Sequence, residues 1–277
     1  MSVTPNERNI SAYVMHYSPL SERRENLESK IASLSPEWVT EEDVILESLP
    51  WRHKQKVLGV AQRNIAADLG VNSRSLSRSR KRARVESFYL RYMSFLGKKY
   101  QIHSLGSLPS FEKLPREILE LNAMHIYALF LFLQSGKEWG LFFEDDALIE
   151  QDFFNKVEGI GDLRFSKPVW INLNGGAGLV RTSSDPAPDE HGLFKVIPPN
   201  TRCATAYMIN REYVERLKDL ILVHGLPDWL PIDVLFQVAN RKLRAKSFWS
   251  DPPVVTQGSE SGFYKSNLTK IREKKKH

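Results

Sequence analysis

A single cysteine, Cys203, stands among 277 residues, so no intramolecular disulfide framework holds the chain together. That suits a reducing compartment, with a small buried apolar residue as the plain alternative role for the thiol. Long hydrophobic runs are missing too. The longest, residues 126–133, falls far short of the roughly 20 residues that cross a bilayer. Residues 1–9 are polar and the apolar stretch 12–15 is too short for the core of a signal peptide. Nucleotide fingerprints are absent as well, since Asn174-Gly-Gly-Ala-Gly178 matches neither G-x-G-x-x-G nor a P-loop. Together these absences predict a cytoplasmic protein, soluble or peripheral to a membrane.

What is present is enough for one large core: 42% of residues are hydrophobic and 10% aromatic. The net charge of +6 is distributed unevenly. One cationic patch spans residues 74–84 and a second closes the chain as a basic tail, 265–277. Such patches attract polyanions, whether phosphorylated glycolipid, anionic membrane or nucleic acid. A solvated, frayed end is the plain reading of the tail.

The centre of the sequence is Trp139-Gly-Leu-Phe-Phe-Glu-Asp-Asp-Ala147, a buried apolar run that ends in three carboxylates. Leu141, Phe142 and Phe143 read as a core strand after a breaker, so Glu144, Asp145 and Asp146 fall at its carboxyl end. Open α/β sheets bind ligands there, and adjacent carboxylates repel unless something positive lies between them. Oxygen ligands favour Mg²⁺ or Mn²⁺, which can bridge nucleotide phosphates. The alternative is a solvated acidic turn capping a helix that starts near Ile149.

Around this centre the pattern alternates strand and helix. Residues 11–16 predict a first strand, and residues 21–34 an amphipathic helix capped by Ser21, with Leu27, Ile31 and Leu34 on one face. Arg23 and Arg24 in its first turn oppose the helix dipole, which favours a functional or surface role for them. A helix runs from Pro115, placed in its first turn, to Gly136 at C′, and its His125 reads as a core histidine. Strands are expected at 169–173, 194–197, 203–209, 247–249 and 253–256, with helices at 152–157, at 212–223 behind Asn210, and around Asp233. Residues 183–192 form an exposed loop, a candidate lid. Asp233, among apolar neighbours at a helix start, is either a cap or a general base. Gln257 to Gly262 is a small polar loop able to close over phosphates.

Residues 41–110 differ in kind: helical in composition, basic, and without a clear strand. Within them, residues 62–84 look like a helix-turn-helix pivoting at Gly70, the rival reading of the chain as a DNA-binding protein.

The order of these parts resembles glycosyltransferase family 25, the lipopolysaccharide and procollagen galactosyltransferase type. Tyr13-Val-Met-His-Tyr-Ser-Pro-Leu-Ser-Glu-Arg-Arg24 resembles that family's opening strand and turn. Residues 120–125 are similar to its segment ending in Ser-His, and residues 139–147 to its strand ending in E-D-D. Residues 204–211, Pro231-Ile-Asp233 and residues 252–261 resemble its later elements. Departures are His16 and Ser18 where the family has Asn and Asp, Met124 in place of serine, and the basic insertion.

The resemblance implies a single α/β domain over residues 1–277 of GT-A type, a mixed sheet flanked by helices with 41–110 inserted. It implies a metal-dependent inverting transferase moving a hexose, most often galactose, from a UDP-sugar to a glycan, glycolipid or protein acceptor. On that reading Asp146, with Glu144, holds Mn²⁺ or Mg²⁺, and Glu144 or Asp145 contacts the donor sugar or ribose. Arg23, Arg24, Gln257 and Ser259 contact the donor nucleotide, its diphosphate or the metal, and Asp233 is the general base. An anionic membrane surface is an added partner through the basic patches, and nucleic acid is not an expected one.

Overall fold

A computed structural model describes residues 9–44, 46, 115–175, 181–183, 185–196, 203–224, 226 and 231–265. The helix-turn-helix-like segment, nearly all of the basic insertion, Gly176 to Gly178 and the tail beyond Lys265 lie outside the described residues. In chain order the elements are β1 (Ile10–His16), α1 (Ser21–Ile31), a 3-10 turn (Ala32–Leu34), β2 (Glu37–Thr40), α2 (Arg116–Gln134), β3 (Trp139–Glu144), β4 (Ala147–Ile149) and α3 (Phe153–Gly161). There follow β5 (Val169–Asn172), β6 (Leu193–Lys195), β7 (Ala206–Asn210), α4 (Arg211–His224), α5 (Ile232–Lys242), β8 (Lys246–Ser250) and β9 (Val255–Gln257).

Seven strands form one mixed sheet in the order β2-β1-β3-β7-β5-β8-β6, while β4 and β9 pair as a separate ribbon. β1 is parallel to β2 and β3, β5 is parallel to β8, and β7 runs antiparallel between β3 and β5. The carboxyl ends of β2, β1, β3, β5 and β8 therefore share one edge of the sheet. The fold is α/β, a mixed sheet flanked by helices.

Alternation along each strand separates two cores, because successive side chains leave opposite faces. Tyr13, Met15, Phe142, Trp170, Tyr207 and Ile209 point to one face and pack with α2, α4 and α5. Ala12, Val14, Leu141, Phe143, Ile171 and Met208 point to the other and pack with Leu27 and Ile31 of α1 and with α3. On the first face an aromatic row crosses four strands: Tyr13 on Phe142 at 5.3 Å, Phe142 on Tyr207 at 5.1 Å and Tyr207 on Trp170 at 4.3 Å between centroids. Phe236 of α5 closes onto Trp170 at 4.6 Å. Such offset stacks add about 0.5–1.5 kcal/mol each beyond area burial.

Several local expectations are corrected. Ser21 is the first helical residue rather than the cap: Leu20 occupies the cap position, without a side-chain hydrogen bond, because its carbonyl already accepts from Arg23 and Arg24 N–H. Pro115 likewise sits one residue earlier than expected, at the cap of α2. Gly136 does follow α2 in left-handed backbone, at φ 73°. Residues 147–149 start no helix, because they pair with β9 in the register Ala147↔Gln257. Trp139 and Gly140 belong to β3 instead of breaking it, and Gly140 lies so close to the Phe132 and Phe142 rings that a Cβ would clash. β2 was not expected. It is short, and only Val39 is buried. No helix among the described residues is long and apolar enough to cross a membrane.

Trp170 is wholly buried between Tyr207, Tyr213 and Phe236. Trp170→Ala should cost about 3–5 kcal/mol in urea unfolding; a loss under about 1 kcal/mol would show that the aromatic row does not hold the sheet to α5.

Candidate functional site

Strand register assembles the site. In the β1–β3 pair Met15 lies opposite Glu144, which puts His16, the last residue of β1, beside the next carboxylate. In the β3–β7 pair Phe143 lies opposite Ala206, and the Glu144 N–H donates to the Thr205 carbonyl at 2.9 Å. The three acids end up in different surroundings, and Asp145 and Asp146 are buried rather than solvated.

Asp145 is fully engaged. Its Oδ1 accepts from Arg23 Nη1 at 2.9 Å, and its Oδ2 lies 3.1 Å from both His16 Nδ1 and the Tyr17 backbone N–H. Arg23 is thereby a latch, since its Nη2 also donates to the Lys265 carbonyl and its guanidinium lies 5.0 Å from the Tyr264 ring centre. Asp146 meets the carboxyl-terminal segment. Ser259 Oγ donates to its Oδ2 at 2.6 Å and Gly258 N–H donates to its carbonyl at 2.8 Å. A Cβ on Gly258 would come within 2.9 Å of that carbonyl, so the close approach requires glycine. Glu144 is held more loosely: His125 Nε2 is 3.4 Å from Oε1, and Thr205 Oγ1 donates to Oε2 at 3.5 Å. One carboxylate oxygen is left over. Asp146 Oδ1 is buried with no hydrogen-bond partner among the described residues, a costly state for an acceptor unless a ligand or cation meets it.

Charge crowding is visible in the proton affinities. Burial, then the charge of Asp145, pushes Glu144 up to about 7, against relief from Thr205 and Arg23. Burial, then the charge of Glu144, pushes Asp146 up to about 6 despite the Ser259 hydrogen bond. Asp233, at the start of α5, is pushed up to about 6, first by burial and further by Glu144. Its Oδ1 accepts from Val234 N–H at 2.9 Å, but Asp233 is not the cap of α5: Pro231 holds that position, without a side-chain hydrogen bond, and Asp233 is the second helical residue. Burial drives His125 down to about 3, which keeps the imidazole neutral. The core reading of His125 holds, yet the ring also reaches from the core to Glu144.

Among the other expected site residues, Gln257 ends β9 opposite Ala147 and Ser259 joins Asp146. Arg24 turns away from the acids, 4.7 Å over the Trp38 ring, and Trp38 in turn meets the edge of His16. Sequence reasoning did not single out Thr205, Tyr207 or Tyr264. Thr205 was legible in principle as the residue leading into an antiparallel neighbour of β3. Tyr264, whose hydroxyl accepts from Asn26 Nδ2 at 2.7 Å, carries no local signal. Burial pushes the Cys203 thiol up to about 12, so it is an unreactive group beside Thr205 and Asn174.

Among the described residues no group of three or more His, Cys, Asp or Glu side chains is placed to hold a metal ion by itself. The oxygen-only side chains at the acidic turn are of the chemical type that hard cations such as Mg²⁺ or Mn²⁺ accept. No family model matches the chain, and no curated protein is similar to it.

The raised carboxylates make a pH prediction. In the folded state Glu144 and Asp146 bind protons up to about 7 and about 6, whereas unfolded they release them near 4.5 and 3.8. Between those limits the native state holds more protons, so this contribution to stability is present at low pH and is lost as pH rises through the folded values. The urea midpoint of the wild type should fall more steeply between about pH 5 and about pH 8 than that of Glu144→Gln. Parallel profiles would contradict the assignment.

Proposed function

We propose that the chain is a metal-dependent inverting glycosyltransferase of GT-A type that moves a hexose, galactose first among the choices, from a UDP-sugar to a hydroxyl of a glycan, glycolipid or protein. The observation that carries this reading is the buried, unpartnered Oδ1 of Asp146, at the carboxyl edge of the sheet and beside the 257–262 loop. Asp146 would hold Mn²⁺ or Mg²⁺ through that oxygen, with the donor diphosphate supplying further ligands. When bound, the cation neutralises charge developing on the leaving diphosphate.

The remaining roles follow from the chain's own residues. Ser259 and Gln257 border Asp146 on the side where a diphosphate would lie. Arg23 holds Asp145 in place through the ion pair at 2.9 Å, so it shapes the donor site instead of reaching out of it. Asp233, with its proton affinity raised to about 6, is mostly ionised near neutrality yet a stronger base than an ordinary aspartate, which suits accepting the proton of an acceptor hydroxyl. A cytoplasmic enzyme with cationic patches at 74–84 and 265–277 fits an acceptor presented at an anionic membrane.

Calorimetry with UDP and Mn²⁺ tests this reading. A site in which Asp146 Oδ1 is the main protein ligand should bind Mn²⁺ feebly alone and UDP feebly alone, and the two together strongly. Asp146→Asn should weaken the joint binding at least about tenfold while circular dichroism is unchanged. UDP affinity that ignores both Mn²⁺ and the substitution would overturn the proposal.

A further inference from the structure

We infer that His125 and Thr205 are positioning residues that hold the two oxygens of Glu144 so that its carboxylate accepts hydroxyls of the donor's sugar. The inference rests on the donor reading above, takes the expected contact of Glu144 with the donor sugar as given, and adds the side chains that orient the carboxylate for it.

Glu144 is the one acid of the three that is not buried outright, with its side chain 16% exposed. It is also held from both sides by wholly buried groups. His125 comes from α2 and has no exposed surface, and Thr205 leads into β7 and is equally buried. His125 Nε2 lies 3.4 Å from Oε1, and Thr205 Oγ1 donates to Oε2 at 3.5 Å. The imidazole is itself fixed from behind, since its Nδ1 lies 2.9 Å from the Tyr207 hydroxyl. Tyr207 cannot swing, being stacked between Phe142 and Trp170. The tautomer that satisfies every contact has the Tyr207 hydroxyl donating to Nδ1 and Nε2–H donating to Glu144.

A carboxylate oxygen accepts more than one hydrogen bond, so each oxygen of Glu144 keeps a lone pair for a ligand. A planar pair of acceptors turned by one contact on each oxygen, at 3.4 and 3.5 Å, suits two neighbouring hydroxyls of a sugar ring, whose binding would tighten both. Discrimination follows, because a ligand lacking a hydroxyl would leave a partly buried acceptor unpaired. The chain thus runs from an aromatic row in the core, through an imidazole, to a carboxylate at the mouth of the site.

The experiment measures affinities of the full chain for UDP and for UDP-galactose, both with Mn²⁺, in the wild type, Thr205→Val, Thr205→Ser and Tyr207→Phe. The wild type should bind UDP-galactose more tightly than UDP. Thr205→Val and Tyr207→Phe should keep the UDP affinity and lose about two- to tenfold of the sugar's advantage, and Thr205→Ser should restore it. A merely structural role would lower both affinities together and would not be rescued by serine. An unchanged ratio in both variants, or a wild type that binds UDP and gains nothing from the sugar, overturns the positioning roles alone. A wild type that binds neither ligand overturns the function reading with them.

Discussion

Three consecutive carboxylates at the end of a buried strand cannot coexist without compensation, and much of the structure around them is that compensation. Like charges a few ångströms apart in a poorly solvated place raise one another's proton affinity unless cations or hydrogen-bond donors intervene. Asp145 receives a guanidinium, an imidazole and a backbone N–H. Among the described residues Glu144 and Asp146 receive neutral side-chain donors, too little to offset burial and the neighbouring carboxylates, so their proton affinities rise. Among the described residues the guanidinium of Arg23 thus goes to the middle acid, and the outer two are left with neutral hydrogen-bond donors. That imbalance is what a ligand cation would relieve.

The same constraint explains why distant segments converge. Arg23 reaches the site only because α1 follows β1 through the short Tyr17 to Leu20 turn, and the parallel β1–β3 register brings the two strand ends level. The carboxyl-terminal segment is recruited by β9, which pairs with β4 immediately after the acids and delivers Gly258 and Ser259 onto Asp146. Tyr264 and the Lys265 carbonyl then close on α1 through Asn26 and Arg23. Residues separated by more than a hundred positions form one polar unit.

The sequence made the centre legible because its signals are local. An apolar run ending in Glu144-Asp145-Asp146 announces a strand and a candidate site, Asp233 stands out as a carboxylate among apolar neighbours, and Ser259 is reached through the polar 257–262 loop and the family resemblance. The internal strands read as short continuous apolar runs, because both faces of the sheet are covered and nearly every side chain of such a strand is buried. What escaped depends on pairing instead. β2 has one buried residue and becomes a strand only by lying against β1; residues 147–149 resemble a helix start until β9 is found beside them. Arg24, equivalent to Arg23 in sequence, differs only by the rotation of one helical residue, which carries it to Trp38. His125 reads as a core residue because it is one, and its second role exists only in three dimensions.

The central claim is that Asp146 offers the oxygen to which a divalent cation binds. Anomalous diffraction at the manganese edge, from crystals grown with Mn²⁺ and UDP, tests it directly. The account predicts a peak about 2.0–2.2 Å from Asp146 Oδ1, with diphosphate oxygens on its far side and the Arg23–Asp145 pair intact. A peak coordinated by Asp145 with Arg23 displaced, or no peak at the acidic turn while UDP is bound, would contradict it.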